Sequence, residues 1–356
     1  MNPKKVGNYT MFRELGKGQF GVVYLAKKNG TEDLYAVKQM NRHKIENNDI
    51  LSGLLKTEVS VMHNIKHPNI LHLFEFMESS NSYYLVIDYC DSGDLEEHMK
   101  KTSKDGFNEE LTVYYLKQIM NGFQELRKNK IMHRDFKLAN IFLKSDGTVV
   151  IGDFGFAKSG VEMTSTKLGT PLTMAPELIA SSGNVSYTSK ADLWSIGVVF
   201  YHMLQGKYPF FGMSNAELLK DIERKTAKMP FKKPVSPLAK DLLSKLLVVN
   251  PDERITWKGF FNHGIFRQDK PNLKDNNGMS SLLKGALTSY IKTNKLFQQN
   301  QKADITNNFN PNPMAPNPMH QQKVNEQDAD KSMMEEITRE EIRAEIELRY
   351  YIILFN

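Results

Sequence analysis

The sequence predicts an α+β fold in which a small β-rich lobe carrying one helix precedes a larger α-helical lobe. Alternating and β-branched apolar runs, broken by glycine, crowd residues 9–87. Apolar positions recurring at three and four then dominate from about residue 95 to 266. The separation of strands from helices along the chain is the mark of an α+β arrangement rather than an alternating one.

Tyr9 to Leu15, Val22 to Lys27 and Leu34 to Gln39 read as strands, with Asn29-Gly30 a strong hairpin turn signal between the last two. Residues 51–66 switch to helical spacing through Leu54, Leu55, Glu58, Val61, Met62 and Ile65. His67-Pro68-Asn69 stops that helix, and Ile70 to Met77 and Tyr83 to Ile87 return to strand character. In the larger lobe, Leu111 to Leu126 is a long periodic helix, and Leu238 to Leu247 is another that starts after Ser236-Pro237. Asp192 to Gln205 is nearly apolar all round, which predicts a helix buried in the middle of the lobe.

Composition changes after about residue 268. Residues 269–330 are an Asn/Gln/Pro-rich linker that cannot bury enough apolar area to offset chain entropy, so disorder is expected there. Residues 331–356 regain helical character. Met334, Ile337, Ile342, Ile346, Tyr350 and Ile353 form a stripe, and Glu335/Arg339 and Glu345/Arg349 make favourable i,i+4 pairs. This amphipathic helix is expected to dock on the folded lobes or on a protein partner.

At 356 residues, 40% hydrophobic and 25% charged, the chain can bury one large or two modest cores. Its longest near-apolar run, Leu193 to Leu204, holds Ser195, Gly197 and His202 and is too short to span a bilayer, so no transmembrane segment is expected. The N-terminus lacks an apolar signal region, and Asn2 stands where myristoylation needs glycine. A single cysteine, Cys90, fits a reducing compartment and a cytoplasmic or nuclear location. The net charge of +6 is scattered, which predicts a solvated basic surface and no nucleic-acid partner.

The most informative stretch is His133-Arg134-Asp135-Phe136-Lys137-Leu138-Ala139-Asn140, with Asp153-Phe154-Gly155 beginning 18 residues after Asp135. It offers a carboxylate to orient a hydroxyl, a cation for a phosphoryl oxygen, and two hard oxygen ligands for magnesium. Those are the groups that in-line phosphoryl transfer from ATP requires. Upstream, Gly16-Lys17-Gly18-Gln19-Phe20-Gly21-Val22-Val23 spaces three glycines so that backbone N–H groups can approach a polyphosphate. These glycines lie between two strands and no βαβ pattern follows, which argues against a dinucleotide fold. Lys38, in Ala36-Val37-Lys38, is a lysine on an apolar strand. Glu58, 20 residues later on the helical segment, can supply its counter-charge.

With these motifs in this order, residues 9–268 resemble the eukaryotic protein kinases. The resemblance implies a bilobal kinase fold, with an N-lobe of about 9–87 and a C-lobe of about 91–268, and ATP and Mg²⁺ as cofactors. It implies that Asp135 is the catalytic base and that Lys137 is the phosphate-contacting lysine of serine/threonine kinases. Lys38, paired with Glu58, would hold the α- and β-phosphates, and Asn140 and Asp153 would be the magnesium ligands. Leu15, Gly16, Lys17, Gly18, Gln19, Phe20, Gly21 and Val22 would cover the nucleotide, and Val23, Ala36 and Phe142 would sandwich adenine. Asp88 and Cys90 would bind its edge through backbone groups beside the gatekeeper Ile87, and Asp94 would bond the ribose. Glu177, in Ala175-Pro176-Glu177, would pair with Arg254, and Asp192 would anchor the catalytic loop. The Asp88 to Leu95 stretch, Gly155-Phe156-Ala157-Lys158 and Tyr187 to Asp192 are most similar to the autophagy-initiating Unc-51-like branch.

The same resemblance implies regulation. Arg134 would grip a phosphorylated activation loop, with Thr164, Ser165 or Thr166 as the site, and Thr170 would contact Asp135 and Lys137. Phe156, large and unbranched after the D-F-G, implies a protein substrate with serine preferred to threonine. Three residues depart from the family pattern. Gly152 replaces a small side chain and is expected to loosen the turn before Asp153; Thr173 replaces an aromatic; Phe142 replaces a leucine. The rival class is a pseudokinase scaffold that binds nucleotide without turnover. Such a chain would normally lack Lys38, Asp135 or Asp153, and all three are present.

Overall fold

The computed structural model describes residues 3–18, 21–155, 172–180, 188–226 and 228–267, which divide into two compact units. Among the described residues, the first unit comprises those up to 47 together with 73–89, and the second comprises 48–72 together with 90–267.

The first unit is a six-stranded antiparallel sheet. Its strands are β1 (Lys4–Val6), β2 (Tyr9–Gly18), β3 (Gly21–Lys28), β4 (Leu34–Asn41), β5 (Leu73–Glu78) and β6 (Ser82–Asp88), in the spatial order β1-β2-β3-β4-β6-β5. Val6, Tyr9, Met11, Ala26, Val37, Tyr84 and Val86 form its buried core. The β3–β4 hairpin turns through residues 29–33, with Gly30 at φ +78, so Asn29-Gly30 sits in a longer loop than a two-residue turn. Two elements of this unit were not expected: β1, and a short helix α1 (Arg42–Glu46) capped by the Asn41 side chain.

The second unit begins with α2 (Asp49–Asn64), whose first turn is closed by Asn48 accepting from the Leu51 N–H. The sequence pattern groups this helix with the strands, whereas its contacts place it in the second unit. There follow α3 (Leu95–Thr102), α4 (Glu109–Lys128), the two-stranded ladder β7 (Ile141–Leu143) and β8 (Val149–Ile151), and α5 (Pro176–Ile179). Then come α6 (Lys190–Gln205), α7 (Asn215–Thr226), α8 (Pro237–Leu246) and α9 (Trp257–Phe261). Every residue of α6 from Ala191 to Gln205 is buried, as its all-round apolar sequence predicts. It ends at Gly206, whose φ of +71 suits the left-handed C-cap that glycine adopts without strain.

Asn69 ties the chain after α2 to the ladder. Its side chain donates to the Val149 carbonyl at 2.7 Å and to Gln118 Oε1 at 3.2 Å, and its carbonyl accepts from the Ile151 N–H at 3.0 Å. Among the described residues no helix is long and apolar enough to cross a membrane. The linker at 269–330 and the helix at 331–356 lie outside the described residues.

Candidate active site

In the second unit the His133–Asn140 segment is built from α6 outward. Asp192, buried in the first turn of α6, accepts the backbone N–H of His133 at 2.9 Å and of Arg134 at 3.0 Å. Arg134 has φ +69, a left-handed backbone that costs a residue with a Cβ about 1–3 kcal/mol. The carboxylate of Asp192 stabilises that turn and so presents the next residue, Asp135. Lys137 Nζ donates to Asp135 Oδ2 at 2.8 Å, and Asn140 Nδ2 donates to the Asp135 carbonyl at 2.7 Å and to Oδ2 at 3.1 Å. The expected trio of Asp135, Lys137 and Asn140 is therefore one hydrogen-bonded cluster.

Asp153 joins it from the next strand exit. The Gly152 N–H donates to the Asn140 carbonyl at 3.0 Å, and the Gly152 carbonyl lies 3.1 Å from His133 Nε2, which places the ring proton on Nε2. These two bonds hold the two motif segments against each other. Asp153 also has a left-handed backbone, at φ +60. Because the Asn140 amide nitrogen is committed to Asp135, its carbonyl oxygen is left as an acceptor. The Asp153 carboxylate carries no hydrogen bond among the described residues. Two such oxygens are the hard donors that suit magnesium.

Phe136 packs the catalytic loop from behind. Its buried ring meets Phe123 edge-on at 4.9 Å and His133 at 5.6 Å, and His133 in turn packs on the buried Phe154 at 5.3 Å. The aromatic stack behind the loop stabilises His133, whose backbone meets Asp192. Below it, Arg254 clamps Glu177 with two bonds of 2.9 and 2.8 Å, donates to the carbonyls of Val248 and Lys190, and lies over the Trp194 ring at 5.2 Å. The expected Glu177–Arg254 pair is thus present and bidentate. Thr173 contributes its carbonyl to Ser195 Oγ at 2.8 Å.

Asp94 caps α3, accepting the Glu97 N–H at 2.8 Å, and burial pushes its pKa up. It also forms a backbone bridge with Phe142. Cys90 is half-buried and in no disulfide.

In the first unit, Gly16 and Gly18 have open space where a Cβ would stand, whereas a Cβ on Gly21 would meet the Gln39 carbonyl. Gly16 and Gly18 thus leave the hairpin backbone uncovered, and Gly21 is required by close packing on β4. Leu15 and Lys17 are exposed on β2, Val22 and Val23 half-buried on β3, and Ala36 buried on β4. Lys38 lies in register between Val23 and Leu85, while Ile87 and Asp88 of β6 face Ala36 and Tyr35. Glu58 is buried on α2, in the second unit. Gln19, Phe20, Phe156, Thr164, Ser165, Thr166 and Thr170 lie outside the described residues.

Sequence reasoning missed Asn69, which reads only as a polar residue after His67-Pro68. An asparagine following a helix stop carries no pattern that reveals how far its side chain reaches. It also read Gly152 as a loosening of the turn, whereas the glycine's two backbone bonds fix it.

A strand-rich unit with an open glycine hairpin and a helical unit with a buried aspartate under an Asp-Lys-Asn cluster are together the parts of a protein kinase. The chain belongs to that family: the family described as protein kinase domain matches residues 9–266. The serine/threonine-protein kinase ATG1a of Arabidopsis thaliana is 37% identical over 273 residues, covering 74% of this chain and 42% of the relative. The serine/threonine-protein kinase ATG1 of Debaryomyces hansenii is 32% identical over 309 residues, covering 75% of this chain and 35% of the relative. Aurora kinase A-B of Xenopus laevis is 33% identical over 273 residues, covering 75% and 64%. The chain spans well under half the length of the ATG1 relatives. ATP and Mg²⁺ are the standard cofactors of this family.

Proposed function

We propose that this chain is an active serine/threonine protein kinase that transfers the γ-phosphate of ATP to a protein hydroxyl, serine in preference to threonine. The observation that carries the reading is the Asp135–Lys137–Asn140 cluster, bonded at 2.7–3.1 Å and joined to Asp153 through Gly152. Magnesium, when bound, neutralises charge on the phosphates. Asn140 and Asp153 offer the oxygens to hold it. Asp135 orients the acceptor hydroxyl and accepts its proton, and Lys137 neutralises the transferred group. The family motif assigns Lys38 to the α- and β-phosphates with Glu58 as its counter-charge, and the uncovered Gly16 and Gly18 backbone leaves room for a polyphosphate. The same match assigns Val23, Ala36 and Phe142 to adenine, Asp88 and Cys90 to its edge, and Asp94 to the ribose.

The likeness to ATG1 kinases supports a regulatory role in autophagy and a cytoplasmic location. Residues 331–355 are read as a docking helix, whose protection in hydrogen exchange is the check. Arg134 beside Asp135 supports control by phosphate at Thr164, Ser165 or Thr166, with Thr170 bonding the catalytic pair. Phosphatase treatment should lower activity, and full activity after it would remove the switch.

Transfer of radiolabelled phosphate from ATP to a degenerate serine/threonine peptide array tests the reading. Asp135→Asn should abolish transfer while nucleotide binding persists. Retained turnover in that variant, or no transfer by the native chain to any peptide, would overturn it.

A further inference from the structure

Away from the motif residues, α3, the end of α6 with the turn after it, and the end of α7 line a cavity of about 570 Å³, a volume typical of ligand sites. Its walls are apolar and aromatic. Met99 is buried against it, the Tyr208 ring lies 4.2 Å from the His202 ring, and the Tyr201 hydroxyl donates to the Pro230 carbonyl. His202 is only 6% exposed, and its Nδ1 has no hydrogen-bond partner among the described residues. Burial pulls its pKa down to about 4, so at neutral pH His202 adds no charge to this wall.

The rim is basic. Lys100 is already bonded to Glu96 at 2.9 Å and Lys225 to Asp221 at 2.7 Å. Lys104 and Lys207, both exposed, have no ion pair among the described residues. Phe211, which lines the cavity, is 61% exposed, and Met213, two residues further along the chain, is 79% exposed. Their backbone is pinned: the Phe211 N–H donates to Asp221 at 2.9 Å and the Met213 N–H to Glu217 at 2.8 Å. A held backbone that presents apolar side chains to solvent next to an apolar cavity is the pattern of an interaction surface. Apolar surface extending past the mouth favours a polypeptide over a small molecule, which the cavity alone would enclose.

We propose that this face docks a partner protein segment that inserts an aromatic or large aliphatic side chain into the cavity, with carboxylates on its flanks meeting Lys104 and Lys207. The site goes beyond phosphoryl transfer, because none of its residues belongs to the catalytic cluster and binding at it requires no turnover. The partner would be a substrate or regulator carrying an acidic-hydrophobic segment.

The test uses the full chain and three fluorescein-labelled decapeptides of glycine and one charged residue type: glutamate around a single phenylalanine, glutamate around alanine, and lysine around phenylalanine. Fluorescence anisotropy should show the glutamate–phenylalanine peptide binding at least tenfold more tightly than either other. Lys104→Glu/Lys207→Glu changes only exposed side chains, so it should fold normally. It should weaken that peptide at least tenfold and strengthen the lysine–phenylalanine one, while transfer to a short generic peptide stays unchanged. Equal binding of the phenylalanine and alanine peptides, or indifference to the double substitution, would overturn the proposal. So would a preference for phosphatidylserine vesicles over every peptide, which would mark a membrane surface instead. Self-association abolished by the same substitutions would overturn it too, by placing a second copy of this chain there.

Discussion

Phe142 Cε2 stands 2.8 Å from the position that a Cβ on Gly152 would take, and Leu71 Cδ2 stands 3.0 Å from it. Two residues that depart from the family pattern are therefore one feature: the larger ring at 142 fills the space that the glycine at 152 leaves. Gly152→Ala should cost about 1–3 kcal/mol, the usual range for overpacking a filled site. Phe142→Leu in the same chain should recover most of that loss, because the two sites share one volume. Thermal unfolding of the two single variants and the double variant gives the coupling. Additive losses would show that the residues act independently.

That pairing also marks how far the sequence could be read. The motif residues were legible because their chemistry is tied to residue type, and α6 because its apolar positions run all round. Elements without such signals were not. In β1 the residues Lys4 and Lys5 are exposed, and the strand is held by backbone pairing with β2 and by Lys4 over the Tyr84 ring at 5.5 Å. The helix α1 has five residues, too few to show a period. The docking cavity draws on residues from Glu96 to Pro230, so no local window contains it.

Asp192 acts on the catalytic loop through two backbone amides and touches no expected substrate atom. Asp192→Asn keeps one oxygen but turns an amide N–H₂ toward the second donor, leaving a buried N–H unpaired at about 1–3 kcal/mol. The left-handed turn at Arg134 then loses its support, and misplacing Asp135 even slightly should lower turnover on the order of 100-fold. Transfer rate and nucleotide affinity measured side by side should show the first falling and the second holding. An unchanged rate would mean the loop keeps its geometry without Asp192.

The Glu177–Arg254 pair is a stability device. The Arg254 side chain is 0% exposed, and its remaining N–H groups are taken by backbone carbonyls. Removing one partner leaves a buried charge uncompensated, so Glu177→Gln should cost about 3–5 kcal/mol. Urea unfolding should show a lower midpoint with an unchanged slope. A shift under about 1 kcal/mol would mean the carbonyls suffice to hold the guanidinium.

One buried and one half-buried histidine set an acid limit on the second unit. Burial lowers the pKa of both His98 and His202 to about 4, from an ordinary value of 6.5. Between those values the unfolded chain binds protons at these sites that the folded chain refuses. Stability therefore rises with pH across the window, is complete above about pH 6.5, and is lost as pH falls toward 4. The Coulombic contributions oppose each other at His202, where Glu96 raises the pKa and Lys100 lowers it, so burial decides the sign. Carboxylates titrate in part of the same window, which makes the difference between chains the quantity to measure. His202→Gln removes the titration while keeping a polar side chain of similar reach. Its unfolding free energy should fall less steeply than that of the native chain from pH 6.5 to 4, even if its stability at pH 7.5 is lower. Parallel curves across the window would show that His202 is protonated in the folded protein as readily as in the unfolded one.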